Sequence, residues 1–226
     1  MAASLNIDQL SLGYAQPGGM NVVVKDFSLS LGTGQIGCLL GPSGCGKTTV
    51  LRAIAGFQPV LAGTITLGGV VLSSPQTHLA PELRRVGMMF QEYALFPHLT
   101  AAENVGFGLR RSPRDEREQR VAQMLALVGL PDAARRYPHE LSGGQQQRIA
   151  LARSLAPAPA LLLLDEPFSN LDAATRRRLR EEVRAILKDT GQTAVLVTHH
   201  EADAQHMADC VGTMTGGTLA GWSVRA

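Results

Sequence analysis

Gly41-Pro42-Ser43-Gly44-Cys45-Gly46-Lys47-Thr48-Thr49 matches the pattern G-x-x-x-x-G-K-[ST] at every fixed position. An apolar run, Ile36 to Leu40, leads into it, and a helical pattern, Thr48 to Ala55, leads out. Strand, glycine loop and helix in that order form the context a phosphate cradle needs. Glycines let successive backbone N–H groups turn toward an anion, and the helix N-terminus adds its dipole at the same point. Lys47 is expected to reach the outer phosphates and Thr48 to place its hydroxyl on Mg²⁺. The loop therefore points to a nucleoside triphosphate, and the rest of the chain must say what the energy is used for.

The flanking sequence reads as β-rich on one side and alternating on the other. Residues 4–12 and 21–31 alternate apolar and polar, with Gln16-Pro17-Gly18-Gly19 as the loop between two expected strands. Tyr14 stands just before that loop, either as a strand-end aromatic or as a flat surface for a base. Gly56 is placed to end the helix after the phosphate loop. Residues 60–72 read as a hairpin, and Val86 to Phe90 as a short strand running into Gln91.

From Ser112 the pattern becomes helical. Ser112-Pro113 reads as a cap and first helical residue, followed by Val121, Met124, Leu125 and Val128 at helical spacing. A second helix is expected from about residue 145 to 156, so residues 92–156 form a helical insert between β-rich stretches. The charged cluster from Arg110 to Arg120 reads as a solvated helix face. Leu161-Leu162-Leu163-Leu164 is an uninterrupted apolar run, as in a parallel strand covered on both faces, and it ends in Asp165-Glu166. Asp172 caps the next helix, whose stripe is Leu179, Val183, Ile186 and Leu187, with Arg176-Arg177-Arg178 assigned to its outer side. Ala194 to Val197 is a further buried strand ending at Thr198-His199, and a short helix over 201–208 and a β-rich tail follow. The expected fold is α/β: a P-loop NTPase core with a mostly parallel sheet, an N-terminal antiparallel β subdomain and the helical insert, all in one domain over residues 1–226.

Composition agrees with a globular protein. Of 226 residues, 45% are hydrophobic and 18% charged, and a net charge of +2 is too small to argue for a nucleic-acid partner. Cys38, Cys45 and Cys210 are odd in number and lack metal-ligand spacing, so they read as reduced thiols of a cytosolic protein. Cys45 is either loop filler or a reactive thiol. No apolar stretch approaches the ~20 residues that cross a bilayer, and residues 1–10 do not read as a signal peptide.

Further polar groups stand at expected strand ends. Asp165 is placed to hold Mg²⁺ and Glu166 to act as general base toward a water. Gln91 is suited to Mg²⁺ or its water, and His199 is either structural or a contact to the γ-phosphate. Leu141-Ser142-Gly143-Gly144-Gln145 is a second anion-binding stretch, with a helix opening immediately after it. One nucleotide is not easily clasped by both loops of one chain. Two copies arranged head to tail solve this, and predict a closed two-fold homodimer with two ATP molecules at the interface.

On these motifs the sequence resembles the ATP-binding subunits of ABC transporters, over essentially its whole length. Leu141 to Gln145 matches the family signature LSGGQ. The resemblance implies an ATPase in which Tyr14 stacks on adenine and the phosphate contacts fall on Gly41, Pro42, Ser43, Gly44, Cys45, Gly46, Lys47, Thr48 and Thr49. It implies that Gln91 senses nucleotide and contacts the membrane partner, and that Asp165 is the metal aspartate. It also implies that Glu166 is the catalytic glutamate, His199 the switch histidine, and Ser169-Asn170-Leu171-Asp172 the loop coupling two sites across the dimer. The stretch Gln91 to Thr100 resembles bacterial importers, which act on the cytoplasmic face of the inner membrane with a permease and a periplasmic substrate-binding protein. Arg136-Tyr137-Pro138-His139-Glu140 resembles the ferric iron importers, within a group that includes polyamine, sulfate, thiamine and aminophosphonate importers. Two departures stand out: His200 replaces the usual acid after the switch histidine, and the chain ends at Ala226 where such subunits usually carry a further β-rich regulatory domain.

Overall fold

Alternation near the N-terminus builds a hairpin longer than the pattern suggests. In the computed structural model, which describes residues 1–169 and 171–224, β1 (Leu5–Gln16) and β2 (Gly19–Leu31) pair antiparallel from Leu5↔Leu31 to Gln16↔Gly19. The ladder closes at that last pair, so the loop shrinks to Pro17-Gly18. Next come β3 (Ile36–Leu40), α1 (Lys47–Ala55), β4 (Ala62–Leu67) and β5 (Val70–Ser73). Gly68 and Gly69 supply the positive φ of the expected second hairpin. The four antiparallel strands form one sheet, ordered β2-β1-β4-β5.

The remaining strands are β6 (Val86–Met89), β7 (Leu161–Asp165), β8 (Ala194–Thr198), β9 (Cys210–Thr215) and β10 (Thr218–Val224). With β3 they form a six-stranded sheet, ordered β10-β9-β3-β8-β7-β6, parallel throughout except for β10. Side-chain alternation divides each strand between two cores. Leu161, Leu163, Val195, Val197 and Leu39 pack with α1 and the antiparallel sheet. Leu162, Leu164, Ala194, Leu196 and Cys38 pack on the opposite face with the helices. That is why the apolar runs are continuous: neither face meets water.

Between β6 and β7 lies the helical insert, made of α2 (Ala101–Val105), α3 (Arg114–Leu127) and α4 (Gly143–Leu155). The sequence pattern does not resolve α2; a Thr100–Glu103 capping box starts it. Pro113, not Ser112, is the N-cap of α3, with φ −52° and ψ 149°, so the helix opens at Arg114. Helix α4 begins at Gly143, two residues earlier than expected, because Ser142 caps it. Arg120 departs from a solvated face, for its Nε donates to Ala156 O at 3.0 Å and an Nη to Leu155 O at 3.2 Å, closing α4 with a cation. Helices α5 (Ala173–Asp189) and α6 (Glu201–Met207) complete the chain. Arg176 likewise departs from the outer side of α5, as described below. Among the described residues, no helix is long and apolar enough to cross a membrane.

Candidate functional site

The parallel strands deliver their C-terminal ends to one edge. The glycine loop follows β3, Gln91 follows β6, Glu166 follows β7 and His199 follows β8. A cavity of about 300 Å³ opens there, lined by Val23, Ser43, Gly44, Gly46, Lys47, Thr48, Thr49, Gln91 and Glu166. Gly46 is the N-cap of α1 at φ 105°, and a Cβ on it would meet Val24 Cγ2 at 2.8 Å. Only glycine satisfies both the left-handed backbone and the close approach. Gly41 and Cys45 are buried in the loop's base, whereas Pro42, Ser43 and Gly44 are exposed.

Lys47 is 4% exposed. Its Nζ donates to Gly41 O at 2.7 Å and Pro42 O at 2.8 Å. No carboxylate is paired with it among the described residues. A buried ammonium held by two carbonyls and a thiol, with no carboxylate to neutralise it, is a cation offered to an incoming anion. Next to it, the Thr48 hydroxyl donates to Asp165 Oδ1 at 2.9 Å. Burial pushes the Asp165 carboxyl above its ordinary range; the Thr48 hydroxyl opposes this and the neighbouring Glu166 adds to it. A hydroxyl and a carboxylate held together at a desolvated position are an oxygen donor set that fits Mg²⁺.

Glu166 adopts φ 44°, unusual for a residue with a Cβ. The turn is fixed by Ser169, whose N–H and hydroxyl both donate to Glu166 O, at 3.2 and 3.0 Å. This conformation brings Glu166 Oε2 to 3.1 Å from His199 Nδ1. At the start of α1, the Tyr14 hydroxyl lies 3.3 Å from Oγ1 of Thr49, a residue of the cavity lining, with the ring partly exposed.

The second group of expected residues lies elsewhere. Ser142, Gly143, Gly144 and Gln145 line a separate cavity of about 560 Å³, together with Leu171 and Asp172, and share no lining residue with the first. The Ser142 hydroxyl accepts from Gln145 N at 3.3 Å and the Gln145 side chain accepts from Ser142 N at 3.0 Å, a capping box that leaves the α4 N-terminus open to solvent. Asp172 caps α5, accepting from Ala174 N at 3.1 Å and Thr175 N at 3.0 Å. The Thr175 bonds, more than any other contact, hold its carboxyl below the usual range. The structure thus divides the expected nucleotide-contacting residues into two sites within one chain. Asn170 lies outside the described residues.

Three participants make contacts that the sequence pattern does not show. Arg153, near the end of α4, donates to Tyr93 O at 2.7 Å and Ala94 O at 2.6 Å. It thereby holds two residues at φ 58° and 47° just after Gln91. Arg176 turns inward to the loop before α5, with Nε on Phe168 O at 3.1 Å and an Nη on Leu171 O at 3.0 Å. Its other Nη lies 3.1 Å from His200 Nε2, which makes His200 the third. The identity of each is readable, but their partners are backbone carbonyls or one another, which leave no pattern of their own.

Comparison with known proteins gives a family and a fold. The model of the ABC transporter family matches residues 24–169. The chain is 50% identical over 198 residues to the Fe(3+) ions import ATP-binding protein FbpC 2 of Rhizobium meliloti (strain 1021), covering 87% of this chain and 49% of that protein. It is also 50% identical over 196 residues to the putrescine transport ATP-binding protein PotG of Escherichia coli (strain K12), covering 86% of this chain and 51% of that one. The chain therefore spans about half the length of the curated relatives it matches. The dimeric structure of the ATP-binding cassette MJ0796, in a post-hydrolysis state bound to ADP and Pi, superposes with a TM-score of 0.84 at 28% identity, covering 98% of this chain and 99% of that one.

Proposed function

The chain belongs to the ABC transporter family, and from that premise we propose that it is the ATP-hydrolysing subunit of an importer. The observation that carries this reading is the convergence of Lys47, the Thr48–Asp165 pair and the Glu166–His199 pair on one edge of the parallel sheet. In the proposed site the loop of residues 41–49 binds the phosphates through the N–H groups of residues 43–49 and through Lys47, and Tyr14 stacks on the adenine. Thr48, Asp165 and Gln91 would hold a Mg²⁺, which when bound would supply charge neutralisation on the phosphates. Glu166 accepts a proton from the attacking water while His199 holds the water and Glu166 in line. The water oxygen bonds to the γ-phosphorus, the bond to the bridging oxygen breaks, and ADP and inorganic phosphate leave.

Ser142, Gly143, Gly144, Gln145 and Asp172 cannot serve the same nucleotide from their separate cavity, so in this reading they serve the ATP of a second copy. Two copies then close head to tail over two ATP molecules. The dimer found for the cassette MJ0796 supports this arrangement. Residues 1–226 act as one ATPase domain, with residues 92–156 as its helical subdomain. The Gln91–Thr100 region meets a membrane permease at the cytoplasmic face of the inner membrane, and a periplasmic substrate-binding protein delivers the cargo. Our cargo assignment is ferric iron, resting on the wording of Arg136 to Glu140. A polyamine, sulfate, thiamine or aminophosphonate is the second reading, because the relatives above carry Fe(3+) and putrescine in their names at equal identity.

Phosphate release from ATP by the purified chain, with and without the Glu166→Gln substitution, tests the ATPase. Hydrolysis that persists unchanged in the variant removes Glu166 from its role. Uptake of labelled ferric iron against putrescine, in cells with and without this chain, tests the cargo.

A further inference from the structure

Three arginines in a row open α5, and they do different things. Arg177 and Arg178 are exposed and pair with Glu181 and Glu182 one turn on, at 3.7 and 3.2 Å. Arg176 faces the preceding loop, with its Nε on Phe168 O and one Nη shared between Leu171 O at 3.0 Å and Ser169 O at 3.4 Å. Its other Nη lies 3.1 Å from His200 Nε2. A guanidinium has donors only, so His200 Nε2 accepts, and the ring proton sits on Nδ1.

The same turn holds the other end of that loop. The His200 and His199 rings lie with centroids 4.0 Å apart, and His199 Nδ1 is 3.1 Å from Glu166 Oε2. The turn itself is pinned from beneath. Thr198 Oγ1 accepts from His200 N at 3.1 Å and donates to Asp203 Oδ2 at 2.9 Å, and Asp203 Oδ1 takes Arg180 at 3.1 Å. Glu166 at the start of the loop, and the carbonyls of Phe168, Ser169 and Leu171 along it, are thus all referred to one two-residue turn after β8.

We propose that Arg176 and His200 are positioning residues for ATP hydrolysis, fixing the loop that begins at Glu166 against the strand end that carries His199. The proposal rests on the ATPase reading above. Neither residue lines the cavity at the glycine loop; both act through the placement of Glu166.

Protonation of His200 removes the acceptor and sets a second cation against Arg176. The charged and titratable groups facing His200 are Arg176 from α5, His199 from its own turn, Asp203 from α6 and Glu166 from the loop after β7. Burial, His199 and Arg176 push the His200 pKa below the ordinary histidine value, outweighing Asp203 and Glu166. The contact is therefore complete above the ordinary value and lost as pH falls through the depressed one.

Two readouts test this on the full chain: phosphate release from about pH 5.5 to about 8.5, and amide hydrogen exchange of the peptide spanning residues 166–172. Wild type is expected to lose turnover along an acidic limb, and exchange in the peptide to rise over the same interval. His200→Asp supplies a carboxylate that stays ionised there, so it keeps turnover at neutral pH within about threefold and lacks the limb. Arg176→Gln lowers kcat about tenfold or more at all pH values, leaves the KM for ATP unchanged and raises exchange in the peptide. An acidic limb in His200→Asp identical to wild type overturns the proposal, and so does exchange that neither variant nor pH alters. Absence of phosphate release by wild type at every pH overturns the ATPase reading instead, and the exchange measurement then still reports whether the contact holds the loop.

Discussion

Glu166 is held at φ 44° by a turn whose closing bonds come from Ser169. A side chain tolerated in the left-handed region costs about 1 kcal/mol or more, and the surrounding structure must impose it. Here it places one carboxylate oxygen beside His199 while Asp165, the previous residue, turns to Thr48. Glu166→Gln keeps the shape and removes the carboxylate proposed as the base. Turnover should fall by about 10² or more with ATP affinity retained, read by phosphate release and by binding of a fluorescent nucleotide. Asp165→Asn should instead raise the Mg²⁺ concentration needed for half-maximal turnover, and chelating the cation should abolish turnover in wild type. Both carboxylates were legible in the sequence, since an apolar run ending in two acids names a strand end. The φ value at Glu166 was not, because it comes from the turn that Ser169 closes.

Helix α4 illustrates the next scale. Its first residue, Gly143, has space: an added Cβ would lie 3.8 Å from its nearest neighbour, Leu171 Cδ2. An acid in a first helical turn is favourable by about 0.5 kcal/mol. Gly143→Glu should therefore keep or slightly raise the thermal midpoint, yet repel the γ-phosphate of a second copy and reduce turnover by about 10² or more. A variant that is stable and fully active would remove this helix end from the site. Helix α1 is held differently, since Arg84, 2% exposed, donates to Ala53 O, Ile54 O, Leu79 O and Ser73 Oγ. Arg84→Met strips the donors from these buried acceptors and should cost about 3 kcal/mol in denaturant unfolding. The element pattern was readable where a stripe or a cap announces itself, as in α5 with Asp172. It was unreadable in α2, where one turn of helix carries too few residues to show a period. It misled at Arg176, because helix periodicity reports a side chain's direction only as far as its Cβ, and a long guanidinium reaches round to the loop.

In the whole molecule, the glycine loop of residues 41–49 and the stretch Ser142–Gln145 open into cavities with no common lining residue. Adding ATP to Glu166→Gln should accordingly double the mass seen by light scattering, and combining it with Gly143→Glu should leave the monomer. Failure of the first variant to dimerise at any ATP concentration would sink the shared-site arrangement. That the two loops form separate sites was inferable from their separation in sequence. The strand order β10-β9-β3-β8-β7-β6 was not, because apolar runs such as Leu161–Leu164 and Ala194–Val197 are interchangeable as neighbours until the sheet is assembled. Within that assembly α4 touches both regions: Ser142 caps one end, and Arg153 grips Tyr93 and Ala94 near the other. Those two contacts are about 16 Å apart along the axis. A hydrogen-bonded helix is stiff in compression and a loop is not, so α4 is a strut. An axial push on its capped end arrives with little loss at the carbonyls of Tyr93 and Ala94, and the compliant part of the linkage is the segment beyond them.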